Sequence, residues 1–297
     1  MFRLKRNRHS KGGENLILHV DILKDSLAKS RDYAFLPFYK NGKPFFENSP
    51  CDDSYPIPLW GMSLLAVGSM RFRWNEENLR RDSFLQKLAE NKYAMNSAAK
   101  KIVPLELIHS KIVYDLKSGG ETFKKQGDGM ITRAENLIPV VTVADCVPIY
   151  FYDTESRAFG IVHSGWKGTG IIADAISLAQ KNYGANEKNI LVAIGAHIKD
   201  CCYAVDEARA KFFADEFGAG CVKKINGQDG EKFMLSLERA NLAVLEKIGV
   251  LEENIVVAKN CTCCESSFGS FRREAAPLDI ADKGRAFTVQ AAFVIGG

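Results

Sequence analysis

Three residues whose side chains bind metals or transfer protons lie close together in the segment ADCVPIYFYDTESRAFGIVHSGWKG, residues 144–168. They are an acid, Asp145, a thiol, Cys146, and an imidazole, His163. The two apolar runs between them flank a polar turn at 153–156 and predict a β-hairpin that brings Cys146 near His163. Opposed side chains in a hairpin lie about 5 Å apart at Cβ, so the two could bind one metal ion. A catalytic zinc site normally has three protein ligands and one open position, so a third ligand is expected elsewhere.

The remaining histidines are the first candidates for that ligand. His9 lies in a basic stretch, and His19 lies in the alternating run NLILHVDIL. His109 lies inside LELIHSKIV, and His197 follows the apolar run NILVAIG. The ordinary interpretation of any one of them is a hydrogen-bonded structural side chain. Spacing alone does not choose between His109 and His197.

Composition predicts a cytoplasmic protein and gives little support for membrane insertion or nucleic-acid binding. The chain has 297 residues, of which 46% are hydrophobic and 26% charged, and its net charge is +4. No apolar run reaches the roughly 18 residues of a membrane span, and no signal peptide is recognisable. Eight cysteines are then expected to be mostly reduced. The basic cluster at residues 3–11 is interpreted as a solvated terminus, which leaves small anionic substrates open.

Hydrophobic patterning predicts an α/β (α+β) fold with a mixed β-sheet core and flanking helices. Apolar runs of strand type alternate with amphipathic stretches, including a strand, helix and strand over residues 137–194. Residues 37–60 hold five of the nine prolines and predict irregular chain. We therefore expect an N-terminal extension at 1–60, a catalytic domain at 61–297, and a metal site at strand ends.

Six segments carry a resemblance to a known family. In chain order they are GDGMIT, VADCVPIYFYD, VHSGWKG, AIGAHIKDCCYAVD, LSLERANLAVLEKIGV and NCTCCESSFGSFRR. Together they resemble the YfiH family, also called laccase-domain or FAMIN-like proteins, over roughly residues 100–275. The resemblance implies a zinc ion held by His109, Cys146 and His163, with copper as the alternative metal.

The same resemblance implies a zinc-dependent purine nucleoside enzyme. The expected reactions are phosphorolysis of adenosine, inosine and methylthioadenosine, and deamination of adenosine. Asp145 and Lys167 are the candidate catalytic residues, although strand alternation should turn Asp145 away from the metal. Lys167 stands where the family more often has arginine, and a lysine lacks the bidentate fork for phosphate. Arg272 and Arg273, predicted on a strand, are the candidate substrate-binding residues, with one of the pair expected to serve.

Other functions stay open at this stage. One is a copper-binding polyphenol oxidoreductase, although a four-copper oxidase needs on the order of ten histidines and this chain has five. A hydrolase that edits peptidoglycan precursors and a non-catalytic, metal-stabilised binding protein are the others. Purine nucleosides and phosphate are the expected partners, without nucleic acid or membrane, and homo-oligomerisation is open.

A second metal site could be built from cysteines. Cys261 and Cys264 have C-x-x-C spacing, and Cys201 and Cys202 could complete a four-thiolate zinc site. Adjacent side chains on a strand point apart, so this site ranks below the one with two histidines and a cysteine. Cys51 and Cys221 are interpreted as ordinary thiols.

Overall fold

The computed structural model describes residues 16–45, 58–90, 100–227, 230–279, 281 and 286–296. The predictions for the basic cluster at 3–11, for His9 and for Cys51 lie outside these residues. The strands are β1 Leu18–Val20, β2 Ala28–Lys29, β3 Tyr33–Pro37, β4 Tyr39–Lys40, β5 Lys43–Pro44, β6 Leu59–Ser63, β7 Lys101–Pro104, β8 Val113–Leu116, β9 Gly129–Thr132, β10 Leu137–Val143, β11 Val147–Asp153, β12 Phe159–Ser164, β13 Ile190–Ile194, β14 Ala204–Val205, β15 Val222–Gly227, β16 Gly230–Leu235, β17 Ile255–Ala258 and β18 Gln290–Ile295. The α-helices are α1 Leu79–Ala89, α2 Ile171–Tyr183, α3 Glu207–Phe217, α4 Leu237–Lys247 and α5 Phe271–Glu274, and short 3₁₀ turns lie at Leu65–Val67, Ala219–Cys221 and Glu252–Asn254.

Two large mixed sheets form the centre of the described structure. The first has the strand order β1-β17-β13-β11-β12-β9-β8, and the second has the order β2-β3-β6-β18-β10-β7. Strands β14, β16 and β15 form a smaller sheet, and β4 pairs with β5. The mixed-sheet α/β fold predicted from the sequence is confirmed.

The two large sheets pack face to face, and helices cover their outer faces. In β11, Tyr150 and Tyr152 belong to the core between the sheets, whereas Ile149 and Phe151 belong to the core under α2 and α4. Helix α1 packs on the outer face of the second sheet. Both faces of β11 are therefore buried, which explains why its sequence is an uninterrupted apolar run rather than an alternating one.

The described part of the predicted N-terminal extension belongs to both large sheets. Strand β1 pairs in parallel with β17, and β3 pairs with β6. The predicted boundary at residues 60 and 61 falls inside β6, whose Trp60 is fully buried and donates a hydrogen bond from Nε1 to the Pro37 carbonyl, 2.8 Å away. A division of the chain at this point therefore stays a prediction, and residues 18–37 build the same sheets as the rest. None of the helices in the described ranges is long and apolar enough to cross a membrane.

Candidate metal centre

Two histidines and one cysteine meet at one end of the first sheet. One ligand atom from each of His109, Cys146 and His163 lies within 4.8 Å of the others. Cys146 Sγ is 3.9 Å from His109 Nε2, and the two imidazole rings cross at 77° with their centroids 4.9 Å apart. With Zn–N near 2.0 Å and Zn–S near 2.3 Å, a tetrahedral zinc places nitrogen and sulfur roughly 3.6 Å apart. The three residues therefore fit the metal that the family resemblance implies.

Three different elements supply these side chains. His163 lies near the end of β12, and Cys146 lies in the turn that leads into β11. The predicted hairpin forms, but its register pairs His163 with Pro148, so Cys146 is two residues away from the directly opposed position. His109 lies in the loop between β7 and β8 with a left-handed φ of 61°, which turns this exposed residue back toward the other two.

A buried carboxylate, Asp128, orients two of the three. Its Oδ1 is 2.8 Å from His163 Nδ1 and accepts a hydrogen bond from the His109 backbone N–H, 2.9 Å away. Its Oδ2 accepts bonds from the backbone N–H and the hydroxyl of Ser110, each 2.6 Å away. Because Asp128 engages Nδ1, the other ring nitrogen of His163 is left for a ligand. The sequence analysis missed Asp128, although GDGMIT contains it and carboxylate partners of metal-binding histidines are common.

Electrostatics favour a thiolate at Cys146. Burial alone raises the pKa of this thiol, but the charge of His163 and hydrogen bonds from both imidazoles outweigh burial and lower the pKa to about 6. Burial lowers the pKa of His163, yet the Cys146 charge and the Asp128 hydrogen bond raise it to about 9. These shifts favour a thiolate at Cys146 beside a protonated His163. A cation replaces that imidazolium proton when it binds.

Gly165 lies directly against His109 and Cys146. A Cβ at this position would lie 2.7 Å from His109 Cδ2 and 3.2 Å from Cys146 Sγ. Contacts this short would displace a ligand, so the glycine of the HSGW segment leaves room for the ligands. Glycine is needed at this position because it has no Cβ, and not because the backbone is left-handed.

Asp145 lies in the bend between β10 and β11, so strand alternation does not set the direction of its side chain. It is buried with a φ of 90°, and its carboxylate accepts hydrogen bonds from Thr262 Oγ1 at 2.7 Å and from the Arg272 backbone N–H at 2.8 Å. Among the described residues, no hydrogen bond joins its carboxylate to His109, Cys146 or His163. Asp145 therefore fixes the segment around residues 262–272 next to the site, and a catalytic role stays a prediction.

The two arginines lie on helix α5, so the predicted strand there is wrong. Ser270 caps this helix by accepting a hydrogen bond from the Arg273 backbone N–H, 3.2 Å away. The Arg273 guanidinium donates to the carbonyls of Thr262, Cys263, Glu265 and Phe268 and pairs with Glu274. The Arg272 guanidinium donates to the Ala204 carbonyl and lies 5.5 Å from the centre of the Tyr203 ring. Arg273 thus holds a loop together, and a substrate-binding role for Arg272 stays a prediction.

Two cations pack against the ring of Trp166, the residue that follows Gly165 of the site. Lys167 is exposed, with Nζ 5.3 Å from the centre of the Trp166 ring, and the Arg209 guanidinium lies 4.3 Å from the same ring. Burial raises the pKa of Tyr203, the Arg209 charge lowers it, and the charge of Cys146 raises it further. Trp166, Tyr203 and Arg209 were not predicted from the sequence, because their proximity depends on the packing of α3 against the turn after β12.

The sequence profile of the multi-copper polyphenol oxidoreductase laccase family matches residues 78–290. The chain belongs to this family. Among solved structures, YlmD from Geobacillus stearothermophilus covers 93% of this chain and 99% of its own, with a TM-score of 0.70 and 23% identity. YfiH from Bacillus licheniformis covers 81% of this chain and 93% of its own, with a TM-score of 0.68 and 25% identity. The resemblance of this laccase-family chain to YfiH proteins is thereby confirmed.

Curated relatives of this laccase-family chain bear the names of purine nucleoside enzymes. A purine nucleoside phosphorylase of Borreliella burgdorferi is 29% identical over 191 residues, 64% of this chain and 81% of that protein. The adenosine deaminase RL5 of an unknown prokaryotic organism is 37% identical over 164 residues, 54% of this chain and 60% of that protein. The purine nucleoside phosphorylase YlmD of Bacillus subtilis is 32% identical over 161 residues, 52% and 56% of the two chains. The match to the last two spans less than two thirds of their length.

Proposed function

We propose that this chain is a zinc-dependent purine nucleoside enzyme that phosphorolyses adenosine, inosine and methylthioadenosine and deaminates adenosine. The observation that carries the proposal is the convergence of His109, Cys146 and His163 within 4.8 Å, with Asp128 bonded to His163. Relatives named purine nucleoside phosphorylase and adenosine deaminase support the substrate class. A bound zinc would supply Lewis-acid polarisation and an acidified water at this position.

Zinc suits the donor set better than a copper cluster does. Two imidazoles and one thiolate with a free position are typical ligands of a catalytic zinc. A multicopper centre needs on the order of ten histidines, whereas the chain has five and one of them, His197, is fully buried away from this site. The chemistry inferred here is therefore hydrolytic and phosphorolytic rather than oxidative.

The residues around the ligands suit a purine and a phosphate. Trp166 and Tyr203 offer ring faces on which a base can stack. Lys167 and Arg209 lie against Trp166 and Arg272 lies against Tyr203, so three positive charges accompany these rings as candidate donors for phosphate and ribose hydroxyls. In phosphorolysis, a phosphate oxygen attacks C1′ while the bond from C1′ to the purine nitrogen breaks, and that nitrogen takes up the electron pair and a proton. In deamination, water adds at C6 and ammonia leaves.

The decisive experiment gives adenosine to zinc-loaded protein with and without inorganic phosphate, and identifies the products by chromatography. We expect adenine and ribose 1-phosphate only when phosphate is present, and inosine in either case. Cys146→Ala should lose both reactions while staying folded, whereas Cys263→Ser, a cysteine outside the site, should retain them. Unchanged turnover in Cys146→Ala would refute the proposal. Oxidation of a phenol by the copper-loaded protein, without nucleoside turnover, would favour the polyphenol oxidoreductase instead.

A further inference from the structure

Four thiols form a second cluster outside the candidate metal centre. Cys201 Sγ is 3.7 Å from both Cys202 Sγ and Cys264 Sγ, and Cys202 Sγ is 3.3 Å from Cys264 Sγ. With Cys261, all four sulfur atoms lie within 4.8 Å of one another. Four sulfurs bound to a tetrahedral zinc at 2.3 Å are roughly 3.8 Å apart, which is close to this spacing.

The local backbone removes the objection that adjacent cysteines point apart. Cys201 and Cys202 lie in a turn between β13 and β14 rather than on a strand, so the alternation of strand side chains does not apply. Cys261 and Cys264 lie in a turn that follows β17 and retain C-x-x-C spacing. The sequence-based argument against this cluster assumes that the adjacent cysteines lie on a strand, whereas in the structure they lie in a turn.

The turn around Cys261 is built as a thiolate binding loop. The Lys199 backbone N–H donates to Cys261 Sγ at 3.4 Å, and the N–H groups of Cys263 and Cys264 also face this sulfur. Backbone contacts with His197 anchor this loop. Cys261 forms an isolated β-bridge with His197, and the Thr262 N–H donates a hydrogen bond to the His197 carbonyl, 3.1 Å away.

The cluster lacks a positive charge of its own. All four sulfur atoms lie within 4.8 Å of one another, so four thiolate charges would repel strongly without a bound cation. The cations nearby are engaged elsewhere, since Lys199 Nζ pairs with Glu238 and the Arg273 guanidinium binds backbone carbonyls. A divalent cation would balance two of the four thiolate charges as four protons leave.

We propose that Cys201, Cys202, Cys261 and Cys264 bind a structural zinc ion that joins the loop after β13 to the loop after β17. This ion is separate from the one at His109, Cys146 and His163. Hydrogen bonds connect its two loops to residues beside that centre. The Thr262 hydroxyl donates to Asp145, which precedes Cys146, and the Ala204 carbonyl accepts a hydrogen bond from Arg272. The tetrathiolate site therefore holds the wall of the candidate active site in place without contacting substrate.

The test is the zinc content of the full chain, purified under reducing conditions and measured by mass spectrometry of the metal. Wild type should hold about two zinc ions per chain, and Cys146→Ala and Cys264→Ser about one each. Combining Cys146→Ala with Cys264→Ser should remove both. Cys263→Ser is the matched control, since it changes the neighbouring thiol in the same turn and should keep both ions.

A second measurement covers the case in which Cys264→Ser does not fold. Cobalt added to metal-free Cys146→Ala protein should give the intense visible absorption of a tetrahedral thiolate site, and zinc should abolish it. The proposal is overturned if Cys146→Ala retains no zinc and gives no such spectrum. It is also overturned if Cys263→Ser loses an ion, or if reduced-state purification still yields a disulfide between Cys202 and Cys264.

Discussion

At the scale of single residues, Asp128 organises the metal centre more than any residue that the sequence analysis selected. One carboxylate fixes the ring of His163, the backbone of His109 and the turn at Ser110. Burial raises the pKa of Asp128, but the hydrogen bonds from His163 and Ser110 lower it below its usual value. Asp128 therefore stays ionised, and its charge holds the Nδ1 proton of His163 in place.

Asp128→Asn tests this role. The amide keeps the size of the side chain but removes its charge and one acceptor, so we expect zinc affinity to fall by about 10- to 100-fold. Competition with a chromophoric chelator measures the change. Asp115→Asn is the control, because Asp115 bonds to Tyr183 and Asn182 at another place on the first sheet. Equal affinities for the two variants would contradict the assignment.

Gly165→Ala tests the space beneath the ligands. The new Cβ meets His109 and Cys146 at 2.7 Å and 3.2 Å, so zinc affinity should fall by about tenfold or more through displacement of a ligand. Gly220→Ala is the matched control, because its Cβ would have no heavy atom within 4 Å. Chelator competition again reports the result, and circular dichroism should show both variants folded. A Gly165→Ala protein with wild-type affinity would show that the ligands lie elsewhere.

Residue patterns predicted part of this site, and the missing part has a physical cause. Cys146 and His163 could be paired because a hairpin is a local structure with a readable turn. The choice of His109 over His197 depended on family resemblance, because a loop residue with φ of 61° leaves no periodic signal. His197 is the structural histidine of the two: Nδ1 is bonded to the Gly195 carbonyl, and burial lowers its pKa to about 3. Neither fact is visible in the spacing of residues.

At the scale of elements, patterning succeeded where an element was long and flanked by clear stop signals. Helix α2 ends at Gly184, which adopts the left-handed conformation that a helix C-terminus favours. The apolar run at residues 63–72 has the composition of a strand, but β6 ends at Ser63 and a 3₁₀ turn follows. That run and SFGSFRR form turns and short helices in the structure. In such short segments, the apolar pattern of a helix cannot be distinguished from that of a strand.

Asn241 connects three elements near the metal centre. It accepts a hydrogen bond from the Ser164 hydroxyl at 2.9 Å and from the Gly170 backbone N–H at 3.5 Å, and it is fully buried on α4. Asn241→Ala leaves these donors without an acceptor, so we expect a loss of about 1–3 kcal/mol in the free energy of unfolding. Urea denaturation measures it. Asn182→Ala, on the exposed face of α2, should change stability by less than about 0.5 kcal/mol, and equal losses would argue against this connection.

At the scale of the whole molecule, the segment before residue 61 supplies core as well as covering chain. Phe35 on β3 is fully buried and packs edge-on against Phe293 of β18, with ring centroids 5.1 Å apart. Prolines at 37–60 suggested irregular chain, yet the described part of that region flanks strands in the second sheet. Nonlocal pairing of this kind cannot be read from composition.

Phe35→Ala tests whether this segment folds with the rest. Deleting a buried aromatic side chain should cost about 3–5 kcal/mol and shift the single unfolding transition reported by tryptophan fluorescence. Phe123→Ala, at a residue that is 64% exposed, should cost less than about 1 kcal/mol. A transition that Phe35→Ala leaves unmoved would indicate an independently folded extension and restore a boundary near residue 61.

A charged cluster joins distant parts of the chain and makes stability depend on pH. Glu238 on α4 faces Lys199, His197 and His19. Burial raises its pKa, but these partners lower it to about 2 from an ordinary 4.5. Its contribution to stability is therefore full above about pH 5 and is lost as pH falls toward 2.

The prediction concerns Glu238→Gln across pH. Its deficit in unfolding free energy relative to wild type should be largest near pH 6–7 and should shrink below about pH 5, where the wild-type carboxylate takes up its proton. Urea denaturation of both proteins at a series of pH values gives this difference. A deficit that is constant from pH 7 to pH 4 would show that the carboxylate charge contributes nothing.

The strand order has a consequence for how the molecule is made. Strand β18, at residues 290–295, is an interior strand of the second sheet between β6 and β10, and β1 pairs with β17 more than 230 residues away. Such high contact order slows folding, because the entropy of closing long loops opposes each pairing. During synthesis, β6 and β10 remain without their shared neighbour until residues 290–295 have been added. We therefore expect the second sheet to stay incomplete until β18 has left the ribosome, and the nascent chain to depend until then on chaperones that cover the open sheet edges.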